Sequence, residues 1–207
     1  MIIINFKNYK QGKEVLELAR KIEKYLPRAI VAVPPMYLGF VSFRTKLKVY
    51  AQHVDSKTGK RETGFILPKG IKNSGAKGTL LNHSEHKIKS EEIKKTINEC
   101  DKLKLKVIAC ASNLREAKEI KKFKPFAIAL EDKELISTGK SITKYRTNDL
   151  KKFVSLFKKT KIIPLCGAGI NSKEDISEAK KLGCKGVLVS SVVANSKNPE
   201  RFLKNVL

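Results

Sequence analysis

Eight short apolar runs rich in Ile and Val recur along the 207-residue chain, spaced widely enough for a helix between most of them. This alternation limits the fold more than any other feature. The runs cover residues 2–5, 29–33, 49–53, 78–82, 107–110, 126–130, 162–166 and 186–190. Amphipathic segments fill most of the gaps: 13–25, with Val15, Leu16, Leu18, Ala19 and Ile22 on one stripe, then 91–103, 114–123, 150–157, 172–182 and 199–206. A strand that is apolar on both faces must be covered on both, which calls for a parallel sheet with helical crossovers. Eight such units close into a (β/α)8 barrel; a doubly wound open sheet of fewer strands is the alternative if two of the runs are loops. The length lies near the lower limit for a barrel, so helices and loops must be short. No linker, low-complexity tract or change in composition divides residues 1–207, and one domain is the economical reading.

Composition narrows the partners. The net charge is +24, which raises nucleic acid as a partner. Yet the 44 basic residues include only seven arginines, and the lysines spread over almost every helical segment instead of forming one arm or stripe. Reading of bases favours Arg, and single-strand binding needs interleaved aromatics, whereas the chain has no Trp and 7% aromatic residues. No specific nucleic-acid partner is expected. No apolar stretch approaches the roughly 20 residues of a membrane span, and Met1-Ile2-Ile3-Ile4-Asn5 lacks the basic region of a signal peptide. A cytoplasmic location is expected. Cys100, Cys110, Cys166 and Cys184 are scattered without a Cys-x-x-Cys pair, so reduced thiols are expected, with no metal site and no disulfide framework. Nor does a dinucleotide fingerprint occur, so no cofactor is expected.

In a barrel of this kind reacting groups sit at the carboxyl ends of strands. The first strand ends in Asn5-Phe6-Lys7, where alternation along an extended chain points Asn5 and Lys7 to one side. The fourth runs into Leu80-Leu81-Asn82-His83-Ser84-Glu85. A lone histidine there is ordinarily structural, and its weight comes from the other strand ends. Glu131 directly follows the apolar run 126–130, and a carboxylate set against a buried strand is partly desolvated, which makes it a better base. The last two strands end in Cys166-Gly167-Ala168-Gly169-Ile170 and Ser190-Ser191, small residues that let backbone amides approach a phosphate.

The order of these motifs resembles the triosephosphate isomerases in their short archaeal form, which are TIM barrels. The resemblance covers almost the whole chain, and also takes in Ala51-Gln52-His53-Val54-Asp55 and Thr63-Gly64. It implies interconversion of dihydroxyacetone phosphate and D-glyceraldehyde 3-phosphate, small phosphorylated three-carbon substrates, through an enediolate. Glu131 would be the base, and His83 the neutral electrophile, its pKa held low by a helix N-terminus behind residues 82–84. Lys7 would supply positive charge near substrate, Asn5 would orient it, and Glu85 would partner Lys7. The segment Asp132, Lys133, Glu134, Leu135, Ile136, Ser137, Thr138 and Gly139 would be a lid. Amides of Ile136, Gly167, Gly169, Ser190 and Ser191 would grip the phosphate. Thr63-Gly64 matches the loop that reaches into a neighbouring subunit, implying a homodimer or homotetramer. Three departures stand out: Asp132-Lys133 replaces two usual prolines, which implies a less stiff hinge; Ser137 replaces a usual glycine; and Val192 stands at a usual glycine, with strain if positive φ is needed there. A barrel acting on another sugar phosphate, and a basic barrel binding RNA or polyphosphate, are the rival readings.

Overall fold

A computed structural model describes residues 1–135 and 141–206. Its eight strands are β1 (Ile2–Asn5), β2 (Ile30–Val33), β3 (Lys48–Ala51), β4 (Gly78–Leu81), β5 (Lys106–Ala111), β6 (Ala127–Glu131), β7 (Ile163–Gly167) and β8 (Gly186–Val189). All pair in parallel with their sequence neighbours, and β8 returns to β1, with Ile3 opposite Leu188, to close the barrel. The closed TIM barrel is therefore the fold, and the open-sheet alternative falls.

The helices are α1 (Lys13–Tyr25), α2 (Leu38–Ser42), α3 (Pro68–Asn73), α4 (Ser90–Lys102), α5 (Leu114–Lys121), α6 (Ile142–Tyr145), α7 (Thr147–Ser155), α8 (Lys173–Lys181), α9 (Ser191–Ala194) and α10 (Pro199–Asn205). In α1 the buried residues are Val15, Leu16, Leu18, Ala19 and Ile22, the stripe expected from the sequence. Boundaries move by a residue or two elsewhere, for local reasons. Ser172 lies outside α8 because its hydroxyl caps the helix by accepting the Asp175 N–H. Asn82 leaves its strand because it turns left-handed. The short helices α2, α3, α6 and α9 were not expected; four to six residues are too few to display a period. No helix among the described residues is long and apolar enough to cross a membrane.

Alternation along each strand divides the core in two. Ile3, Ile30, Tyr50, Leu80, Ile108, Ala127, Ala129, Leu165 and Leu188 fill the barrel, whereas Ile4, Val31, Val49, Ile128 and Leu130 meet the helices. By the same parity Asn5 and Glu131 end their strands on the inward side, which puts two polar groups at the mouth of an apolar tube. Tyr50 is the largest fully buried side chain, and burial pushes its phenol up to about 12. Gly78 in the adjoining strand makes room for it: a Cβ there would come 2.6 Å from the Tyr50 ring and 2.1 Å from the Lys106 carbonyl oxygen. Strand backbone cannot yield as a flexible side chain can. Gly78→Ala is therefore expected to destabilise the fold by about 2–3 kcal/mol. Gly70→Ala in α3, where the nearest atom lies at 4.0 Å, should be neutral or stabilising. Denaturant midpoints of the two variants check this.

Candidate functional site

The inward ends of β1 and β6 and the turn after β4 meet in one cleft, lined by Asn5, Lys7, His83, Glu131, Gly169 and Ser190 among others. Lys7 does not reach it by strand alternation as expected. It lies beyond β1 with a left-handed backbone, φ 45°, and its direction is set by a turn. Asn5 Oδ1 accepts the Lys7 N–H at 3.0 Å, and Gln52 Nε2 donates to the Lys7 carbonyl at 2.9 Å and to that of Ala32 at 3.3 Å. Ser190 Oγ donates to the Asn5 carbonyl at 2.8 Å, which ties β8 to β1 below the cleft. These bonds fix the backbone from which the Lys7 side chain departs, and Glu85 holds its ammonium. Its Nζ lies 2.5 Å from Glu85 Oε1.

His83 owes its place to Asn82, which also stands left-handed at φ 57°. The Asn82 side chain donates to the Cys110 carbonyl at 2.9 Å and to Glu116 Oε1 at 2.8 Å, and accepts the Ile88 N–H at 3.1 Å. Asn tolerates this backbone better than other chiral residues, and here both its amide hydrogens and its carbonyl oxygen are engaged in the latch. Burial alone would raise the Glu116 carboxyl pKa, but bonds from Lys87, the Ser112 amide and Asn82 override it and hold the group below its usual range. Gln52, Asn82 and Glu116 were not singled out from the sequence. For Asn82 a signal existed, an Asn directly after a buried strand.

The imidazole of His83 sits between two carboxylates. Its Nδ1 accepts the Glu85 backbone N–H at 3.2 Å, so in the neutral ring the proton belongs on Nε2. That nitrogen lies 3.4 Å from Glu131 Oε1. Glu131 is the last residue of β6, not the first beyond it, and is 5% exposed; its Oε2 has no partner among the described residues. Gly167, in register with Glu131, makes this placement possible, since a Cβ there would come 3.3 Å from Glu131 Cγ.

The expected depression of the His83 pKa is not found. Burial opposes the charged ring, yet the hydrogen bond and charge of Glu131 outweigh burial and lift the pKa above its ordinary value. Burial likewise favours a neutral Glu131, and the His83 contact overrides it, with Cys110 and Lys7 assisting, so this carboxyl lies below its usual range. The helix thought to lie behind residues 82–84 begins only at Ser90. The pair therefore stabilises the fold between two limits: its His83 part is lost as pH rises through the raised imidazole pKa, its Glu131 part as pH falls through the lowered carboxyl pKa.

Across the cleft, Ala168 and Gly169 are both left-handed, φ 73° and 69°, in the turn between β7 and α8, and Ser191 opens α9. The first amides of a helix have no partner within it, so Ser190 and Ser191 present donors here. Val192 lies inside α9 with no left-handed backbone, and the strain foreseen at that position does not arise. After Glu131, residues Lys133–Leu135 form a 3-10 turn. Asp132 Oδ1 accepts the Glu134 N–H at 2.9 Å, and Arg146 bridges Asp132 Oδ2 and Glu134 Oε2, each at 2.6 Å. Arg146 thus joins Asp132 and Glu134 at the start of the segment where the resemblance has two prolines. Ile136, Ser137, Thr138 and Gly139 lie outside the described residues. Among those described, no cluster of three or more His, Cys, Asp or Glu could hold a metal ion.

The triosephosphate isomerase family model matches residues 1–206. The chain belongs to the triosephosphate isomerase family. It is 37% identical to the triosephosphate isomerase of Sulfolobus acidocaldarius, the alignment covering 100% of this chain and 95% of that one. It is also 37% identical to that of Saccharolobus solfataricus, covering 100% and 94%, and 35% identical to that of Methanocaldococcus jannaschii, covering 100% and 98%. Family membership places the chain among the isomerases.

Within this triosephosphate isomerase family site, one consequence can be measured in solution. Glu131→Gln removes the influence that lifts the His83 pKa while burial remains, so the pKa should fall below that of the unaltered protein. NMR titration of the ring protons reads this; an unchanged or higher value would mean that the contact does not govern the imidazole.

Proposed function

We propose that the protein interconverts dihydroxyacetone phosphate and D-glyceraldehyde 3-phosphate through an enediolate, serving glycolysis and gluconeogenesis in the cytoplasm. The observation that carries this reading is the contact of His83 Nε2 with Glu131 Oε1 at 3.4 Å, beside the Lys7–Glu85 pair and facing the turn at Ala168-Gly169. A triose bound in this cleft would separate the two side chains, its carbonyl oxygen against Nε2–H and its carbon-bound hydrogen against the carboxylate.

Separation changes both groups in the useful direction. Without its partner each is left chiefly with burial, which raises the pKa of Glu131 and lowers that of His83. Glu131 becomes the stronger base and takes the proton from carbon. The electron pair moves onto the carbonyl oxygen as the enediol double bond forms, and the neutral imidazole's Nε2–H meets the developing negative charge. The neighbouring hydroxyl then gives its proton to that oxygen, by way of Nε2, which donates one proton and takes up the other; as the second oxygen re-forms a carbonyl, Glu131 returns its proton to the adjacent carbon. Lys7, its backbone held by Asn5 and Gln52 and its ammonium by Glu85, adds positive charge for phosphate and enediolate.

In this proposal the phosphate is gripped by amides of Gly167, Gly169, Ser190, Ser191 and, in the lid, Ile136; Gly167 also leaves space for Glu131. The lid runs from Asp132 through Gly139, and its closure excludes water, which matters because an exposed enediolate phosphate would eliminate its phosphate. The protein acts as a homodimer or homotetramer, with exposed Thr63 and Gly64, the latter at φ 88°, on the loop that approaches a second copy. The reaction needs neither metal nor organic cofactor.

The test is conversion of glyceraldehyde 3-phosphate to dihydroxyacetone phosphate, coupled to glycerol-phosphate dehydrogenase. Glu131→Gln should cut kcat by about a hundredfold to ten-thousandfold, the usual contribution of a positioned base. Lys7→Ala should lower kcat/KM strongly as well. Full activity in Lys7→Ala would favour a barrel acting on another sugar phosphate. Arg146→Ala, which frees the start of the lid, should act more mildly and move KM and kcat together.

A further inference from the structure

Among the described residues, a cavity larger than the cleft lies away from it. A groove of about 1100 Å³ lies at the opposite end of the barrel, where the chain enters β5, β6 and β7. Its floor is apolar, with Leu105, Pro125 and Ile162 buried and Phe126 and Leu156 half-buried. Eight lysines surround it: Lys104, Lys106, Lys118, Lys121, Lys122, Lys124, Lys159 and Lys161, against a single acid, Asp101. Among the described residues, no carboxylate stands within ion-pair distance of any of the eight; the ion pairs of this chain lie elsewhere.

The ordinary explanation is helix capping, since α4, α5 and α7 all end here. It is insufficient in magnitude. Each helix C-terminus carries about half a negative charge, so three of them and Asp101 leave roughly five to six positive charges unbalanced. Lys106, Lys159 and Lys161 lie beyond the last helical turns. Lys104 and Lys124, moreover, stand left-handed at φ 57° and 55°, a backbone that costs a lysine about 1–2 kcal/mol. The turn after α8 uses Gly183 for the same purpose, φ 97°. The chain thus retains lysine on this rim at two positions where glycine would be cheaper.

From this placement we infer that the groove is a docking site for an acidic peptide segment of a partner protein, one that carries aliphatic residues among its glutamates and aspartates. The volume exceeds the roughly 300–1,000 Å³ of small-molecule sites, which favours a chain segment. The floor is mainly aliphatic, and the face of its one aromatic ring, Phe126, already carries the Lys106 ammonium at 4.4 Å. No platform for stacking a base is left, and the rim has no arginine for reading one. Aliphatic side chains would cover the floor while carboxylates meet the lysine heads, whose long stems follow a partner of uneven shape. The groove lies at the amino ends of the strands, so an occupant leaves the isomerase cleft open.

Fluorescence anisotropy tests the assignment at about 0.15 M salt. The probes are a labelled peptide with leucine at every fourth position among glutamates, an all-glutamate peptide of equal length, and single-stranded oligouridylate of matched charge. The proteins are the unaltered chain, a groove variant (Lys118→Glu, Lys122→Glu, Lys159→Glu) and a control of equal charge (Lys13→Glu, Lys21→Glu, Lys197→Glu), all six positions being exposed. The leucine-bearing peptide should bind tightest. Its affinity should fall at least about tenfold in the groove variant and under about threefold in the control. Isomerase activity of the groove variant should match that of the unaltered chain; if it does not, the single Lys159→Glu variant is read in its place. Equal losses in groove and control variants would overturn the proposal, as would absence of peptide binding or equal affinity of the two peptides. Tighter binding of oligouridylate would also overturn it and give the groove to nucleic acid.

Discussion

A carboxylate buried at the mouth of an apolar barrel is the constraint on which the site depends. Glu131 ends β6 on the inward side, 5% exposed, and an ionised group so placed is tolerated only when paired. The structure meets this demand with His83, and most of the surrounding detail serves the meeting. Gly167 leaves room for the Glu131 side chain. Asn82 makes the turn that brings the imidazole across and is itself tied to β5 and α5. The Glu85 amide selects the tautomer that turns Nε2–H toward Glu131.

In the proposed reaction the same pairing acts as a latch on reactivity. In direct contact, His83 and Glu131 stabilise each other's charged forms, the least useful state for a base and a neutral donor. Burial opposes both charges and takes over when a ligand parts them. On the proposed reading, a substrate that inserts between the two groups sets their protonation by its own presence. The clamp of Arg146 on Asp132 and Glu134 stands immediately after Glu131, so the start of the proposed lid and the proposed base are neighbours on one short stretch of chain.

Much of this was legible in the sequence because barrel geometry is periodic. The eight runs and the stripe of α1 follow from alternation and helical spacing, and the ordered motifs at the strand ends carry the family resemblance. Contacts between residues far apart in the chain were not legible. Nothing local to Gln52 announces that it donates to the carbonyl of Lys7, nor does Glu116 reveal that it gathers Asn82, Lys87 and Ser112. The direction of the His83 pKa was misjudged for that reason: it depends on Glu131, 48 positions along the chain, and not on a nearby helix end. Val192 was misjudged because a four-residue helix leaves no periodic trace.

The measurement that bears most directly on this account is the pKa of His83 with the cleft empty and with it filled by glycerol 3-phosphate, a reduced, unreactive analogue of the substrate. Three histidines make the NMR titration assignable by single substitutions. A fall on filling the cleft is the predicted result, since the ligand takes the place of Glu131 and leaves burial dominant. A pKa that stays put or rises while the ligand is bound would contradict the claim that substrate parts the His83–Glu131 pair.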